Sequence, residues 1–149
     1  ILRQQPKRLL RLYISAYQSY LWNKTLAKII SNKKDFIKMK YPFGELLFAN
    51  SKMKNIKIPI INFDIQPTKE ISVIMKEENL KVGDFILREM PELISESQDR
   101  GAFIYVKNIK SKWGEDELNK NKLKLELVFS LPKASYATML IKKLFSKAF

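Results

Sequence analysis

Between Lys122 and Leu131, Leu123, Leu125, Leu127, Phe129 and Leu131 occupy every second position. Successive side chains of an extended chain point to opposite sides, so this spacing predicts a strand with one apolar face. That face needs a cover, and two segments have the period of helices that could supply it. Pro6 suits a first helical turn, and no Gly or Pro interrupts the chain from there to Ser31. Within that span Leu9, Tyr13, Ala16, Tyr17, Tyr20, Leu21 and Ala27 form one apolar stripe, with Lys7, Arg8, Arg11 and Lys24 largely off it. After Pro132, Ser135 is a candidate cap for a final helix that carries Ala137, Leu140, Ile141, Leu144 and Phe145 on one side.

The middle is less regular. Residues 32–57 are rich in Lys, Asn and Ser and contain Pro42 and Gly44, which predicts a loop with short extended pieces. Ile58 to Ile65 is β-branched and bounded by Pro59 and Pro67, as an edge strand or extended connector would be. Thr68 is the expected N-cap of a helix to about Asn79, with Glu70 in its first turn. A short helix from Lys81 to Arg88 should end before Pro91. Ala102 to Ile109 suits a strand, and the charged, Gly114-containing stretch Lys110 to Asn121 suits a loop. No internal repeat is present.

With 149 residues, 46% of them hydrophobic, the chain can build one domain of ordinary size. Its 28 Lys+Arg against 15 Asp+Glu give a formal charge of +13, which points to a polyanionic partner, nucleic acid or an anionic membrane, or else to a merely solvated surface. Arg occurs only at Arg3, Arg8, Arg11, Arg88 and Arg100; the other cations are Lys, point charges suited to phosphates rather than to bidentate base reading. There is no His and no Cys. Thiol nucleophiles, disulfides, imidazole bases and Cys/His metal sites are therefore excluded. No apolar run approaches a membrane span, the basic start lacks a signal-peptide core, and the absence of Cys fits a reducing compartment, so a cytoplasmic location is expected. The first residue is Ile rather than Met, which leads us to expect a piece of a longer product.

Two segments go beyond generic patterning. Arg11-Leu-Tyr-Ile-Ser-Ala-Tyr-Gln-Ser-Tyr-Leu-Trp-Asn23 resembles a signature helix of the tRNA pseudouridine synthase D (TruD) family, and Phe129-Ser-Leu-Pro-Lys-Ala-Ser-Tyr-Ala-Thr-Met-Leu140 resembles its C-terminal signature, a strand ending in Leu-Pro and a turn into a helix. Glu89-Met-Pro-Glu-Leu93 resembles part of the family's inserted domain. The resemblance implies an α+β fold: part of the pseudouridine-synthase antiparallel sheet with flanking helices, plus a small inserted α/β lobe. Residues 1–34 and 110–149 would belong to the catalytic domain and 35–109 to a reduced insert. It also implies isomerisation of uridine to pseudouridine in tRNA, with no metal or organic cofactor, by an aspartate acting as nucleophile or general base on a flipped-out nucleotide.

The family's aspartate stands in a Gly-x-Lys-Asp motif upstream of the signature helix. Asp35, Asp64, Asp84, Asp99 and Asp116 all lack that context, and Lys81-Val-Gly-Asp84 is only a superficial lookalike. The expectation is a C-terminal portion, inactive alone, whose N-terminal half acts in cis or in trans. By the resemblance Tyr136 would stack on the target base, a contact worth roughly 1–3 kcal/mol; otherwise it anchors the last helix as a core residue. Ser15, Gln18, Asn23, Ser135 and Thr138 would shape the pocket, or else serve as internal hydrogen bonds and caps. Lys7, Arg8, Arg11, Lys133, Lys142 and Lys143 are candidate phosphate contacts, Trp113 could stack on a base, and Trp22 is expected in the core. The competing readings are a non-catalytic basic RNA-binding module derived from the same fold and a peripheral membrane-binding domain.

Overall fold

Without an internal Gly or Pro, the segment Lys7–Ser31 forms α1, 25 residues long, with Pro6 as the extended residue before it. The computed structural model describes residues 2–33, 35–51, 53–94 and 96–146. The buried side of α1 is Leu10, Gln18, Leu21, Trp22, Thr25 and Ile30. This seam is rotated from the stripe expected through Leu9, Tyr13 and Tyr17, and Tyr13 and Tyr17 are exposed. Two polar residues explain the rotation. The Gln18 amide donates to the Ile61 carbonyl (2.9 Å) and the Thr25 hydroxyl to the Leu21 carbonyl (2.9 Å), so both enter the core with their polar atoms satisfied. An apolar pattern passes over such residues.

Residues expected to be loop form an antiparallel hairpin instead: β1 (Phe36–Tyr41) pairs with β2 (Gly44–Ala49) from Phe36 opposite Ala49 to Tyr41 opposite Gly44. Pro42 and Phe43 make the two-residue turn, and Gly44 follows at φ 126°, a conformation that favours glycine. Asp35 closes the base: its carboxylate accepts from the Asn50 amide (2.9 Å) and its carbonyl from the Asn50 N–H (3.2 Å). β2 packs against α1 and buries Leu46, Phe48 and Ala49. That burial outweighs the polar composition of the surrounding segment.

Of the expected edge strand or connector from Ile58 to Ile65 only Ile58 and Pro59 are strand, as part of β3 (Lys57–Pro59), which pairs antiparallel with β4 (Asp99–Gly101). Thr68 caps α2 (Lys69–Glu77) as expected, its hydroxyl accepting from the Ile71 N–H (3.4 Å). Asn79 at φ 55° turns the chain out of the helix. The helix expected over 81–88 is a single 3-10 turn, Val82–Phe85, followed by another at Pro91–Leu93. Leu21, Ile61, Ile71, Ile74 and Met75 form the core cluster, with Tyr20, Ile65, Leu80, Val82 and Phe85 packed on its rim.

Farther along, β5 (Lys107–Glu115) and β6 (Leu123–Ser130) form an antiparallel hairpin, and α3 (Ala137–Phe145) follows. The expected strand over 102–109 thus begins at Lys107 and extends into the expected loop, and only the stretch from Asp116 to Lys122 turns. Charged residues in 110–115 look like loop in isolation; the strong alternation of β6 holds them as its partner strand. The Asp116 carboxylate organises the turn, accepting from the N–H groups of Leu118 (2.9 Å) and Asn119 (3.1 Å) and the Asn119 side-chain amide (2.9 Å).

The chain divides into two compact units, one running to Ala102 and including Ser146, the other Phe103–Phe145. The architecture is α+β, with three helices and three small antiparallel sheets among the described residues. No described helix is long and apolar enough to cross a membrane. Every buried apolar residue described lies in the first unit; no described side chain of the second is buried. Leu21→Ala should therefore destabilise the chain by about 2–5 kcal/mol, whereas Leu123→Ala, at 70% exposure, should change stability by no more than about 0.5 kcal/mol. Chemical denaturation followed by far-UV circular dichroism measures both.

Candidate functional site

Helix α1 carries three of the expected pocket residues. Ser15 is exposed, Asn23 half-buried and Gln18 buried. Ser15 and Gln18 share a polar cleft of about 200 Å³ with Ser19, Glu96, Gln98 and Arg100. Gln18 also borders a mostly apolar cleft of about 300 Å³, where Tyr13, Tyr17, Asp84, Phe85 and Leu93 stand around it. The indole N–H of Trp22 donates to the Ile58 carbonyl (3.0 Å), and the Arg100 guanidinium lies 5.5 Å from its ring centre. Trp22 is a core residue, as expected.

One turn away lies a polar cluster that the linear sequence hid. The Glu78 carboxylate accepts from Lys24 Nζ (2.7 Å), Tyr20 Oη (3.1 Å) and Tyr17 Oη (3.4 Å), and Lys24 also pairs with Glu77 (3.2 Å). The three- and four-residue steps from Tyr17 to Tyr20 to Lys24 put its helical half on one face of α1, so Lys24 joins the tyrosines whose stripe it was expected to lie off; nothing along the sequence points to the carboxylates at the end of α2. The Lys24 hydrogen bond, ahead of the opposing effect of burial, holds the Glu78 carboxyl below its ordinary range. Burial works against the Lys24 charge, but the bonds from Glu78 and Glu77 prevail and its pKa rises. Burial and then contact with Glu78 push both tyrosines up. A carboxylate so fully engaged is an anchor between α1 and α2 rather than a free acid or base.

Among the expected phosphate contacts, Lys7 pairs with Glu92 (3.4 Å) and the Arg11 guanidinium donates to the Glu92 carbonyl (3.0 Å), while Arg8 is exposed. Arg3 pairs with Glu89. Lys133, Lys142 and Lys143 are exposed in the second unit. There α3 begins at Ala137, later than a Ser135 cap would place it, and the Met139 N–H bonds to the Tyr136 carbonyl (3.0 Å). Ser135 is half-buried and Thr138 exposed. Tyr136 is 64% exposed, so it is not a core residue.

Four of the five aspartates have structural tasks. Asp35 closes the β1–β2 hairpin, Asp64 accepts twice from the Ser97 N–H (3.0 and 3.1 Å), Asp84 accepts from the Lys81 N–H (2.7 Å) at the start of its 3-10 turn, and Asp116 organises the β5–β6 turn. Asp99 is exposed in β4, opposite Pro59. Among the described residues no group of three or more acidic side chains is placed to hold a metal ion.

The β5–β6 register sorts side chains by chemistry, since directly opposed residues share a face. Trp113 with Leu125, Ser111 with Leu127 and Glu115 with Leu123 form one face; Lys110 with Val128, Lys112 with Glu126 and Gly114 with Lys124 form the other. Trp113 is 63% exposed, on the leucine side.

Comparison with known proteins matches residues 58–144 to the family described as tRNA pseudouridine synthase D (TruD). The chain belongs to the TruD family. It is 35% identical over 162 aligned residues to Probable tRNA pseudouridine synthase D 1 of Methanococcus maripaludis, covering 93% of this chain and 39% of that protein. It is 34% identical to Probable tRNA pseudouridine synthase D 2 of Methanocaldococcus jannaschii, covering 93% and 36% respectively. The crystal structure described as TruD from Methanosarcina mazei superposes with a TM-score of 0.67 at 26% identity, over 95% of this chain and 39% of that one. This TruD-family chain therefore spans less than two fifths of the length of these relatives.

The Glu78 cluster sets a pH dependence within the TruD-family fold described here. A carboxyl whose folded pKa is depressed contributes stability in full above its unfolded value, near 4.5, and loses it as pH falls through the lower folded value. Glu78→Gln should cost about 1–2 kcal/mol at pH 7, and the gap to the parent should close as denaturation is repeated at progressively lower pH below 4.5. A gap that is the same at pH 7 and pH 3 (roughly a pH unit or more below the unfolded value) would assign the loss to packing rather than charge.

Proposed function

We propose that this chain is the C-terminal portion of a TruD enzyme that isomerises uridine to pseudouridine in tRNA, and that the aspartate performing the chemistry belongs to a part of the enzyme outside it. The observation that carries this reading is an alignment covering 93% of the chain but only 39% of the relative. It is supported by the structural use of four aspartates: Asp35 closes a hairpin, Asp84 and Asp116 organise turns, and Asp64 holds the Ser97 N–H of a distant segment. None of the five aspartates stands in a Gly-x-Lys-Asp context.

In this reading Tyr136 offers its exposed ring to the flipped base, with Ser135 and Thr138 shaping the turn that presents it. Ser15, Gln18 and Asn23 are the pocket-shaping residues carried by α1. Lys7, Arg8, Arg11, Lys133, Lys142 and Lys143 contact RNA phosphates, and the partners are tRNA and the N-terminal half of the enzyme, in the cytoplasm. The charge of +13 favours RNA as the polyanion.

The test supplies the N-terminal remainder of the Methanococcus maripaludis relative to this chain and measures pseudouridine in tRNA by mass spectrometry. No product from the chain alone and product from the pair are expected. Product from the chain alone would make one of its own aspartates catalytic; no product from the pair, with tRNA binding intact, would favour a non-catalytic RNA-binding module. In the active pair Tyr136→Ala should lower turnover by about tenfold or more and Tyr136→Phe by less than about threefold, the difference between losing and keeping a stacking face.

A further inference from the structure

In a regular strand Lys107 would share a face with Ile109, Ser111 and Trp113, because residues two apart point the same way. The observed register changes this: Lys107 opposes Ser130 but Lys110 opposes Val128, so β5 has one residue more than β6 between these pairs. This is a β-bulge, with Asn108 at φ 54°, a left-handed conformation that Asn accepts more readily than most residues, and its side-chain amide donates to Ser130 Oγ (3.4 Å). The phase shift brings Lys107 onto the face of Lys110 and Lys112, the latter two spaced by about 7 Å along the strand.

The three lysines differ from the cations of the chain that carboxylates hold. Lys7, Lys24, Lys38 and Lys124 are each held by carboxylates. Among the described residues no ion pair involves Lys107, Lys110 or Lys112, and all three are exposed. The opposite face of the hairpin is the leucine face, so the two sides suit different neighbours. All the basic residues of the second unit are Lys. Such a surface can hold phosphates but lacks the planar forks that read base edges.

We propose that the lysine face of the β5–β6 hairpin, Lys107, Lys110 and Lys112, is a docking surface for the phosphate backbone of structured RNA and is indifferent to base sequence. It deepens the tRNA reading above, rests on that reading, and adds three residues outside its six phosphate contacts.

The test compares binding of the 149-residue chain to a tRNA transcript and to an unrelated structured RNA of equal length across a salt series. The variants are Lys107→Gln/Lys110→Gln/Lys112→Gln, the same three positions changed to Arg, and a charge-matched control, Lys54→Gln/Lys69→Gln/Lys76→Gln, on the first unit. The hairpin Gln variant should lose about tenfold to a hundredfold in affinity at 0.1 M salt and flatten the slope of log K against log salt by about 2 to 3, equally for both RNAs. The Arg variant should bind as the parent does, and the control should lose less than about threefold. Equal losses in the hairpin and control variants, or none in the hairpin variant, overturn the site while leaving the enzyme reading intact. Loss on tRNA alone overturns its indifference to sequence. A parent chain that binds anionic phosphatidylserine vesicles and not RNA overturns both this site and the tRNA reading, whereas a reconstituted pair without pseudouridine, with the hairpin losses as expected, overturns only the enzyme reading and leaves the site standing.

Discussion

An extended stretch of backbone, Ile58 to Ile61, lies against α1, and everything in the first unit depends on how its carbonyls are satisfied. Gln18 and Trp22, one helical turn apart, donate to the carbonyls of Ile61 and Ile58. On its other side Ile60 donates to the Gln98 carbonyl, and the Ala102 N–H bonds to Ile56 (2.8 Å). The stretch is thus held between a helix and a short strand without a full ladder on either side. Two side-chain donors replace part of what a third strand would provide, and an unmade bond there would leave a buried carbonyl unpaired at about 1–3 kcal/mol. Ile58 and Ile61 are fixed in the core as a result.

The Glu78 cluster serves the same interface from the polar side. Tyr17, Tyr20 and Lys24 turn toward α2 from the face of α1 adjoining the buried seam, and the tyrosine rings stack with centres 6.0 Å apart. Apolar burial sets how closely the helices approach. The carboxylate sets their rotation, because only one rotation brings three donors to one acceptor group.

How much of this was legible depended on whether the signal was local. Thr68 as a cap, β6 as an alternating strand and α1 as an uninterrupted helix each rest on rules that act within one element, and each was readable. The β1–β2 hairpin was not, because its stability comes from Leu46, Phe48 and Ala49 packing on α1, a contact invisible along a Lys- and Asn-rich stretch. β5 was misplaced because its partner, rather than its own composition, defines it. Ser15, Gln18 and Tyr136 are site candidates by resemblance alone. The face shared by Lys107, Lys110 and Lys112 could not be read from the sequence, since it is created by one extra residue in a register that only the pairing reveals.

Each sheet described is two-stranded, so each of the six strands presents one row of backbone N–H and C=O groups to the outside. Such rows invite edge-to-edge pairing with a second copy, and lysines on a strand oppose it by repulsion between like copies. Lys38, Lys40, Lys57, Lys107, Lys110 and Lys112 all stand on strands. The excess of Lys therefore acts on the chain's own solubility as well as on any polyanion: removing charge from these strands would turn open edges into templates for self-association.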